Sequence, residues 1–151
     1  MDLKIAEIGY VENEVTKQMD LNWGSIISKI RVINDYVDGL KGLENFSHAI
    51  ILTYLHEAKF VKERHLERRP RNLQEMPLVG IFSQRAKDRP NPIGVTTVKI
   101  IEVLSNTILV EGLDAINGTP VLDIKPYYPQ YDMVKNAIIP EWVNRLMKNY
   151  F

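Results

Sequence analysis

The sequence predicts a mainly β protein, built as a small closed or nearly closed β-barrel with a short C-terminal helix. Short segments rich in Ile, Val, Thr and Tyr recur along the chain, and Pro, Gly and Asn interrupt them at short intervals. One segment near the C-terminus has a clear helical pattern. Many short strands with a single terminal helix are typical of a barrel.

The predicted strands follow one another from the N-terminal region to residue 124. Some alternate apolar with polar residues, which is typical of a strand with one buried face, and others are short apolar runs. The predicted ranges are 5–11, 25–33, 48–56, 78–83, 93–104, 107–113 and 121–124.

Turn residues separate these strands, and a helix follows them. Residues 35–42 are predicted to form a single helical turn. At the C-terminus, Pro140 suits a first helical turn, Glu141 lies near the positive end of the helix, and Trp142 and Leu146 supply an apolar face. The interruptions between strands are Asn34-Asp35, Gly39, Gly42, Pro70, Pro77, Pro90, Pro92 and Asn117-Gly118.

The composition fits one globular domain. A chain of 151 residues that is 45% apolar and 25% charged can bury a core without disulfides or a structural metal. There is no cysteine, so disulfides, thiolate zinc sites and cysteine nucleophiles are excluded. No apolar run approaches the length of a membrane span, and the N-terminus lacks the apolar stretch of a signal peptide. We expect a cytoplasmic protein without a membrane segment.

The balance of 19 cations and 19 acids conceals an uneven distribution of charge. Residues 59–89 contain nine Lys or Arg and four Asp or Glu, a net charge of +5, so the rest of the chain carries −5. A basic segment on an acidic body is an electrostatic footprint suited to nucleic acid. The alternative is a solvated charged loop without a partner.

Several common sites are missing from the sequence. No spacing of the eight glycines gives G-x-G-x-x-G, and Gly-Lys-Ser/Thr does not occur, so neither a Rossmann site nor a P-loop is expected. The three histidines His48, His56 and His65 match no metal motif, and we expect no metal.

The most unusual stretch is residues 82–94. Pro90 and Pro92 stiffen it and push the residues before them to extended conformations. Gly94 permits a close approach to the backbone. Rigid presentation of Arg89 and Asn91, together with Arg85, suits a polar ligand, and the alternative is a simple Pro-rich connection between strands.

A second stretch, residues 113–127, combines a turn with charged groups on a strand. Asn117-Gly118 is a strong turn signal that needs no function. Asp123 and Lys125 are two apart on the predicted strand and therefore share one face with Tyr127. They form either a surface ion pair of little energetic value or a base, a cation and an aromatic wall of a pocket.

These stretches together resemble the TsaA-like, or TrmO, family of tRNA methyltransferases. Residues 89–94 read R-P-N-P-I-G, residues 118–127 read G-T-P-V-L-D-I-K-P-Y, and residues 42–48 read G-L-E-N-F-S-H, each similar to a signature of that family. The resemblance implies a β-barrel that works as a homodimer and binds S-adenosyl-L-methionine without a Rossmann fold. Many members carry a C-terminal domain that grips tRNA; this sequence stops at Phe151, so we expect a single barrel domain over 1–151 without that extension.

The resemblance also implies the reaction, N6-methylation of N6-threonylcarbamoyladenosine at position 37 of a tRNA, and assigns cofactor contacts. Arg85, His56-Glu57, Val95 and the turn before the last strand match such contacts, and 18–20 matches a contact loop. The implied cofactor residues are Gln18, His56, Glu57, Arg85, Val95, Asn117, Gly118, Thr119, Pro120 and Val121.

For catalysis, a group must take up the N6 proton. Asp123 is the first candidate base, followed by His48 and Tyr127, and Lys125, Arg85 or Arg89 are candidates to neutralise the threonyl carboxylate. The basic segment would meet anticodon-loop phosphates, with bases stacking on Phe60, Tyr127, Tyr128 or Tyr131. The candidate substrate residues are Arg89, Asn91, Lys62, Arg64, Arg68 and Arg69.

Two other functions stay open at this point. A non-enzymatic RNA-binding barrel would use the basic segment alone and need not bind S-adenosyl-L-methionine. A methyltransferase of the same fold with another substrate would bind it but leave threonylcarbamoyladenosine unchanged.

Overall fold

The computed structural model describes residues 3–151 and contains eight strands and three short helices. The predicted C-terminal helix is confirmed, and the helical turn expected over 35–42 is a 3-10 helix at Asn34–Leu40. The strands are β1 Gly9–Glu12, β2 Ile27–Val32, β3 His48–Tyr54, β4 Glu67–Arg68, β5 Val79–Gly80, β6 Ile93–Leu104, β7 Thr107–Glu111 and β8 Pro120–Pro126, and the helices are α1 Lys62–His65, α2 Pro129–Asp132 and α3 Glu141–Met147.

Six strands close into an antiparallel barrel, as the sequence predicts. Their order around the barrel is β1-β2-β7-β6-β3-β8, and β8 pairs with β1 to complete the circle. Inward positions alternate along each strand, for example Ile30 and Val32 on β2 and Ala49 and Ile51 on β3. Together with Val98, Ile108 and Val110, these side chains fill the core because a strand turns every second residue to the same face.

A β-bulge in β8 determines which way its charged residues point. Leu52 of β3 pairs with Asp123, but the next residue, Thr53, pairs with Val121, so Leu122 is an extra residue on β8. A bulge of this kind reverses the alternation of sides. Val121 and Ile124 therefore both pack against the core, and Asp123 is directed to the outer surface instead of the interior.

The segment between β3 and β6, which includes nine of the 19 Lys and Arg residues, lies outside the barrel. The prediction of a strand over 78–83 is largely wrong. Only Val79–Gly80 is extended, pairing with β4 in a separate two-stranded sheet, and a 3-10 turn follows at Ile81–Ser83. The reason is local: the buried Gln84 side chain donates to the carbonyls of Arg68 and Val79 and closes the segment on itself.

The C-terminal residues return to the barrel after α3. Asn22 and Trp23 donate backbone hydrogen bonds of 2.8 Å to the carbonyls of Asn149 and Tyr150. A Cβ on Gly24 would lie 2.5 Å from the carbonyl carbon of Phe151, so this contact requires glycine. Residues 149–151 therefore lie against 22–24. No helix within residues 3–151 has the length and apolar character needed to cross a bilayer.

Candidate functional site

A narrow pocket lies at the end of the barrel where β3 finishes and β8 begins. Its closed volume is about 20 Å³, room for roughly one water molecule. The buried Trp23 forms an aromatic wall, and two carboxylates reach the pocket from different loops. The lining residues are Gln18, Trp23, Leu55, His56, Glu57, Ala58, Asp114, Ala115, Ile116 and Thr119.

Asp114 is the most firmly held polar group of this pocket. The Thr96 hydroxyl donates to Oδ1 of Asp114, and the Tyr150 hydroxyl donates to Oδ2 over 2.8 Å. Burial raises the pKa of Tyr150, and the nearby Asp114 carboxylate raises it further. Tyr150 therefore stays a hydrogen-bond donor at neutral pH, and the orientation of the carboxylate is fixed.

Four predicted cofactor residues meet in the pocket, although they come from three separate parts of the sequence. Gln18 lies in the loop after β1, His56 and Glu57 directly follow β3, and Thr119 immediately precedes β8. The Thr119 hydroxyl donates to the carbonyl of Ile116 over 2.7 Å, which closes the turn that forms the pocket floor.

Two more predicted cofactor residues lie outside the pocket but contact each other. The Arg85 guanidinium donates to the carbonyl of Val95 over 2.5 Å. Val95 points outward from β6, where it pairs with Leu52 of β3, and Leu52 in turn pairs with Asp123 of β8. These residues therefore form a row across the outer face of the barrel.

The remaining predicted cofactor residues serve mainly to build the turn. Asn117 accepts a hydrogen bond from the backbone of Asn13 over 3.1 Å, and Gly118 adopts a left-handed φ of 81°. Pro120 begins β8 and pairs with Tyr10. Val121 is fully buried, and its side chain packs in the barrel core.

The four candidate catalytic residues lie on the outer surface and not in the pocket. Lys125 Nζ contacts Asp123 Oδ2 at 2.6 Å, and this hydrogen bond raises the pKa of Lys125. Beyond the end of β8, the ring of Tyr127 packs edge-on against that of His48 at 6.4 Å between centroids. The expectation that Asp123 and Lys125 share a face is confirmed. That face is the outer surface of β8, outside the pocket.

Much of the basic segment is occupied by contacts within the protein. The predicted substrate residues Arg69 and Arg89 donate to the carbonyls of Met76 and Gln84, and Arg68 lies 3.7 Å from Asp88 with only 15% of its side chain exposed. The guanidinium groups of Arg69 and Arg89 thus satisfy local acceptors, whereas Arg68 is held beside Asp88 in a largely buried position. Asn91 is exposed, and its carbonyl accepts a hydrogen bond from Ile93.

Three exposed cations of the basic segment have side chains without an internal polar contact in the described part of the chain. The side chains of Lys59, Lys62 and Arg64 make no hydrogen bond or ion pair with any other residue of 3–151. Lys62 and Arg64 lie on α1, so this short helix carries the basic surface that is available to a partner. We refer to Lys59, Lys62 and Arg64 as the α1 cation patch.

The glycine of the proline-rich stretch has a structural explanation. A Cβ on Gly94 would lie 2.5 Å from the hydroxyl of Thr53 and 3.1 Å from Leu55. The close approach that the sequence suggests at this position is therefore made by β3 and not by a ligand. Pro92 also belongs to this contact, because its carbonyl accepts a hydrogen bond from Leu55 over 2.8 Å.

Sequence reasoning missed part of the pocket. Trp23 and Leu55 carry no polar signal that distinguishes them from core residues, and Tyr150 reaches the site only through the return of the C-terminal segment. Asp114 had a usable signal, since it is a carboxylate three residues before the Asn117-Gly118 turn.

A larger open depression of about 590 Å³ lies at the opposite end of the barrel. Val37, Lys41, Val103 and Ser105 are among its lining residues, and it contains no predicted site residue. Within the described part of the chain, no three His, Asp or Glu side chains gather closely enough to hold a metal ion. The pocket at the end of β3 is therefore the candidate site.

Comparison with known proteins agrees with this fold. Residues 11–133 match the family described as the tRNA-methyltransferase O N-terminal domain. The chain belongs to the TrmO family. A relative from Pyrococcus abyssi, described as a probable S-adenosyl-L-methionine-binding protein, is 39% identical over 110 residues, 73% of this chain and 57% of the relative. A human relative named tRNA (adenine(37)-N6)-methyltransferase is 40% identical over 110 residues, 73% of this chain and 24% of its own length.

The solved structures agree with the barrel. The crystal structure of TrmO from Pseudomonas aeruginosa matches with a TM-score of 0.75 at 29% identity, over 94% of this chain and 62% of that one. Our chain, a member of the TrmO family, thus spans less than two thirds of the length of the Pseudomonas aeruginosa chain and of the Pyrococcus abyssi relative.

Proposed function

We propose that this TrmO-family protein binds S-adenosyl-L-methionine in the pocket at the end of β3 and methylates N6 of N6-threonylcarbamoyladenosine at position 37 of a tRNA. The observation that carries the proposal is the convergence of Gln18, His56, Glu57 and Thr119 in one pocket. The name of the human relative, a tRNA (adenine(37)-N6)-methyltransferase, supports the same base and position. An enzyme with this substrate would act in the cytoplasm.

The side chains that line the pocket fit the proposed cofactor. When bound, S-adenosyl-L-methionine supplies an electrophilic methyl group on a sulfonium and leaves as the neutral thioether. The lining contains the carboxylates of Asp114 and Glu57 and no Lys or Arg, which suits a ligand with a cationic sulfonium and ammonium group. Trp23 and the apolar residues Leu55 and Ile116 suit an adenine ring. The closed pocket, at about 20 Å³, is too small for this cofactor, so its rim must open for the cofactor to bind.

The loop over residues 16–21 is the part of the rim that can open. Its polar contacts with the rest of residues 3–151 are the hydrogen bond from Trp23 Nε1 to the carbonyl of Met19 and the ion pair of Asp20 with Arg71 at 3.6 Å. By contrast, Asn13 before it is fixed by hydrogen bonds to Ser28 and Ala115. We therefore propose that this loop, which includes Gln18, moves outward when the cofactor enters.

The methyl acceptor must reach the mouth of this pocket, and this requirement distinguishes the candidate bases. Glu57 is exposed at the mouth. Asp123 lies four residues along β8 from Thr119, about 13 Å at the rise of a strand, and is paired with Lys125. We propose Glu57 as the group that accepts the N6 proton. Arg85, with one of its donors used by Val95, is proposed to hold the threonyl carboxylate.

The α1 cation patch is the proposed contact with the phosphates of the anticodon loop. We expect Lys62→Ala combined with Arg64→Ala to lower tRNA affinity and to reduce the slope of log affinity against log salt by about 2, because two phosphate contacts are removed. The control is the pair Lys41→Ala and Lys148→Ala, which removes two exposed cations elsewhere. Filter binding at several salt concentrations measures both slopes; equal slopes in the two double variants would contradict the assignment.

A homodimer is proposed on the basis of the outer face of β3 and β6. Tyr54, Ile93 and Val95 project there, each more than a third exposed, and Tyr54 pairs with Ile93. Exposed apolar side chains gathered on one sheet face are typical of an interface. A second copy of the chain is the proposed partner, and light scattering should give twice 17.5 kDa.

The reaction itself is tested by mass spectrometry of tRNA nucleosides. After incubation with the protein and isotope-labelled S-adenosyl-L-methionine, we expect threonylcarbamoyladenosine to gain one labelled methyl group. If the protein binds the cofactor but labels a different nucleoside, the substrate is wrong and the methyltransferase assignment stands. If it binds tRNA and no cofactor, the chain is a non-enzymatic RNA-binding barrel.

A further inference from the structure

The two hydroxyl donors on Asp114 come from separate parts of the fold. Thr96 belongs to β6 and is buried, whereas Tyr150 belongs to the segment that follows α3. Each carboxylate oxygen thus has one fixed donor, and each keeps a further lone pair for a ligand. A carboxylate held in this way presents its free acceptors to the pocket in one orientation. The free-energy cost of ordering this side chain when a ligand binds is therefore smaller.

Tyr150 is itself held by several independent contacts. Its carbonyl accepts the hydrogen bond from Trp23, and its ring packs edge-on against Phe151 at 4.9 Å between centroids. The guanidinium of Arg71 lies 5.7 Å from the ring centroid and also 3.6 Å from Asp20. Arg71 reaches this position from a backbone with a φ of 51°, which is uncommon for a residue other than glycine.

We infer that Tyr150 is a positioning residue, which orients the carboxylate of Asp114 for S-adenosyl-L-methionine and makes residues 149–151 a wall of the cofactor site. The inference rests on the proposed function, because it requires the cofactor to bind in this pocket. Tyr150 acts through Asp114 and needs no contact with the cofactor. If Tyr150 merely fills the end of the barrel, its ring matters and its hydroxyl does not.

The hydroxyl is tested by Tyr150→Phe, which keeps the ring against Phe151 and Arg71. Titration calorimetry should show S-adenosyl-L-methionine binding about tenfold weaker, as expected for the loss of one hydrogen bond to a charged group. Asp114→Asn should weaken binding further, and the double variant should bind no more weakly than Asp114→Asn alone. Tyr36→Phe, at an exposed tyrosine distant from the pocket, is the matched control and should bind normally.

Thr96→Val removes the other donor on Asp114 and keeps the test decisive if Asp114→Asn does not fold. We expect it to weaken binding to a similar extent and to combine with Tyr150→Phe non-additively, because both act on one carboxylate. Unchanged affinity in Tyr150→Phe, or additive losses in both double variants, would overturn the inference while leaving the cofactor site intact. No binding by the wild-type protein would instead refute the proposed function itself.

Discussion

Gly9→Ala should destabilise the barrel by about 3 kcal/mol, the upper range for forcing extra volume into a packed site. A Cβ at this position would lie 2.5 Å from the carbonyl oxygen of Arg31 and 3.2 Å from the Cα of Val32. Both are backbone atoms of β2 and cannot rotate away. Gly9 is also a residue at which the short strand β1 pairs on both sides, with Val32 and with Val121. A shift of β1 would therefore open the seam that closes the barrel.

Thermal unfolding followed by circular dichroism measures this effect. For a domain of this size, a loss of about 3 kcal/mol corresponds to a fall of roughly 10 °C in Tm. Gly39→Ala is the matched control, because no atom lies within 4 Å of the Cβ that it would add, and its Tm should change little. Equal shifts in the two variants would mean that β1 is not held between β2 and β8 as described.

The contacts of Gly9 illustrate which parts of the fold could be predicted from the sequence. Alternation of apolar residues predicts β2, β3, β6 and β7 because it depends on one strand at a time. The partners that require glycine at positions 9 and 24 lie about 20 and more than 120 residues away in the sequence. Contacts of that kind depend on topology, which no local pattern encodes. The wrongly predicted strand over 78–83 has a different and local cause, the hydrogen bonds of the Gln84 side chain to the carbonyls of Arg68 and Val79.

For the candidate site, too, the identity of some residues could be predicted from the sequence but the direction of their side chains could not. Residues that the resemblance assigns, such as His56, Glu57 and Thr119, converge in the pocket. Which way a motif residue points was not predictable. The bulge at Leu122 turns Asp123 outward, and Val121 of the same motif is buried. A one-residue change in pairing reverses every side chain beyond it, and the sequence pattern alone does not reveal that change.

Because Asp123 points to the outer surface, we expect Glu57 to be the residue whose substitution most affects the rate of methyl transfer. We expect Glu57→Gln to lower kcat for methyl transfer about 100-fold or more, which is the usual contribution of a positioned general base. Asp123→Asn should lower kcat less than tenfold, because its carboxylate is paired with Lys125 at 2.6 Å and lies far along β8 from the pocket. Both substitutions remove one negative charge and keep the shape of the side chain, so each is the control for the other.

Single-turnover experiments at saturating S-adenosyl-L-methionine separate this effect from binding. The cofactor affinity of each variant is measured independently, since Glu57 also lines the pocket and its charge favours a cationic ligand. When the enzyme is saturated with the cofactor, a fall in the rate of methyl transfer that persists in Glu57→Gln is due to the loss of proton transfer. The opposite ranking, with Asp123→Asn inactive and Glu57→Gln active, would mean that the acceptor base lies on the outer face of β3 and β8. The row formed by Val95, Leu52 and Asp123 would then be the substrate surface, and the pocket would hold only the cofactor.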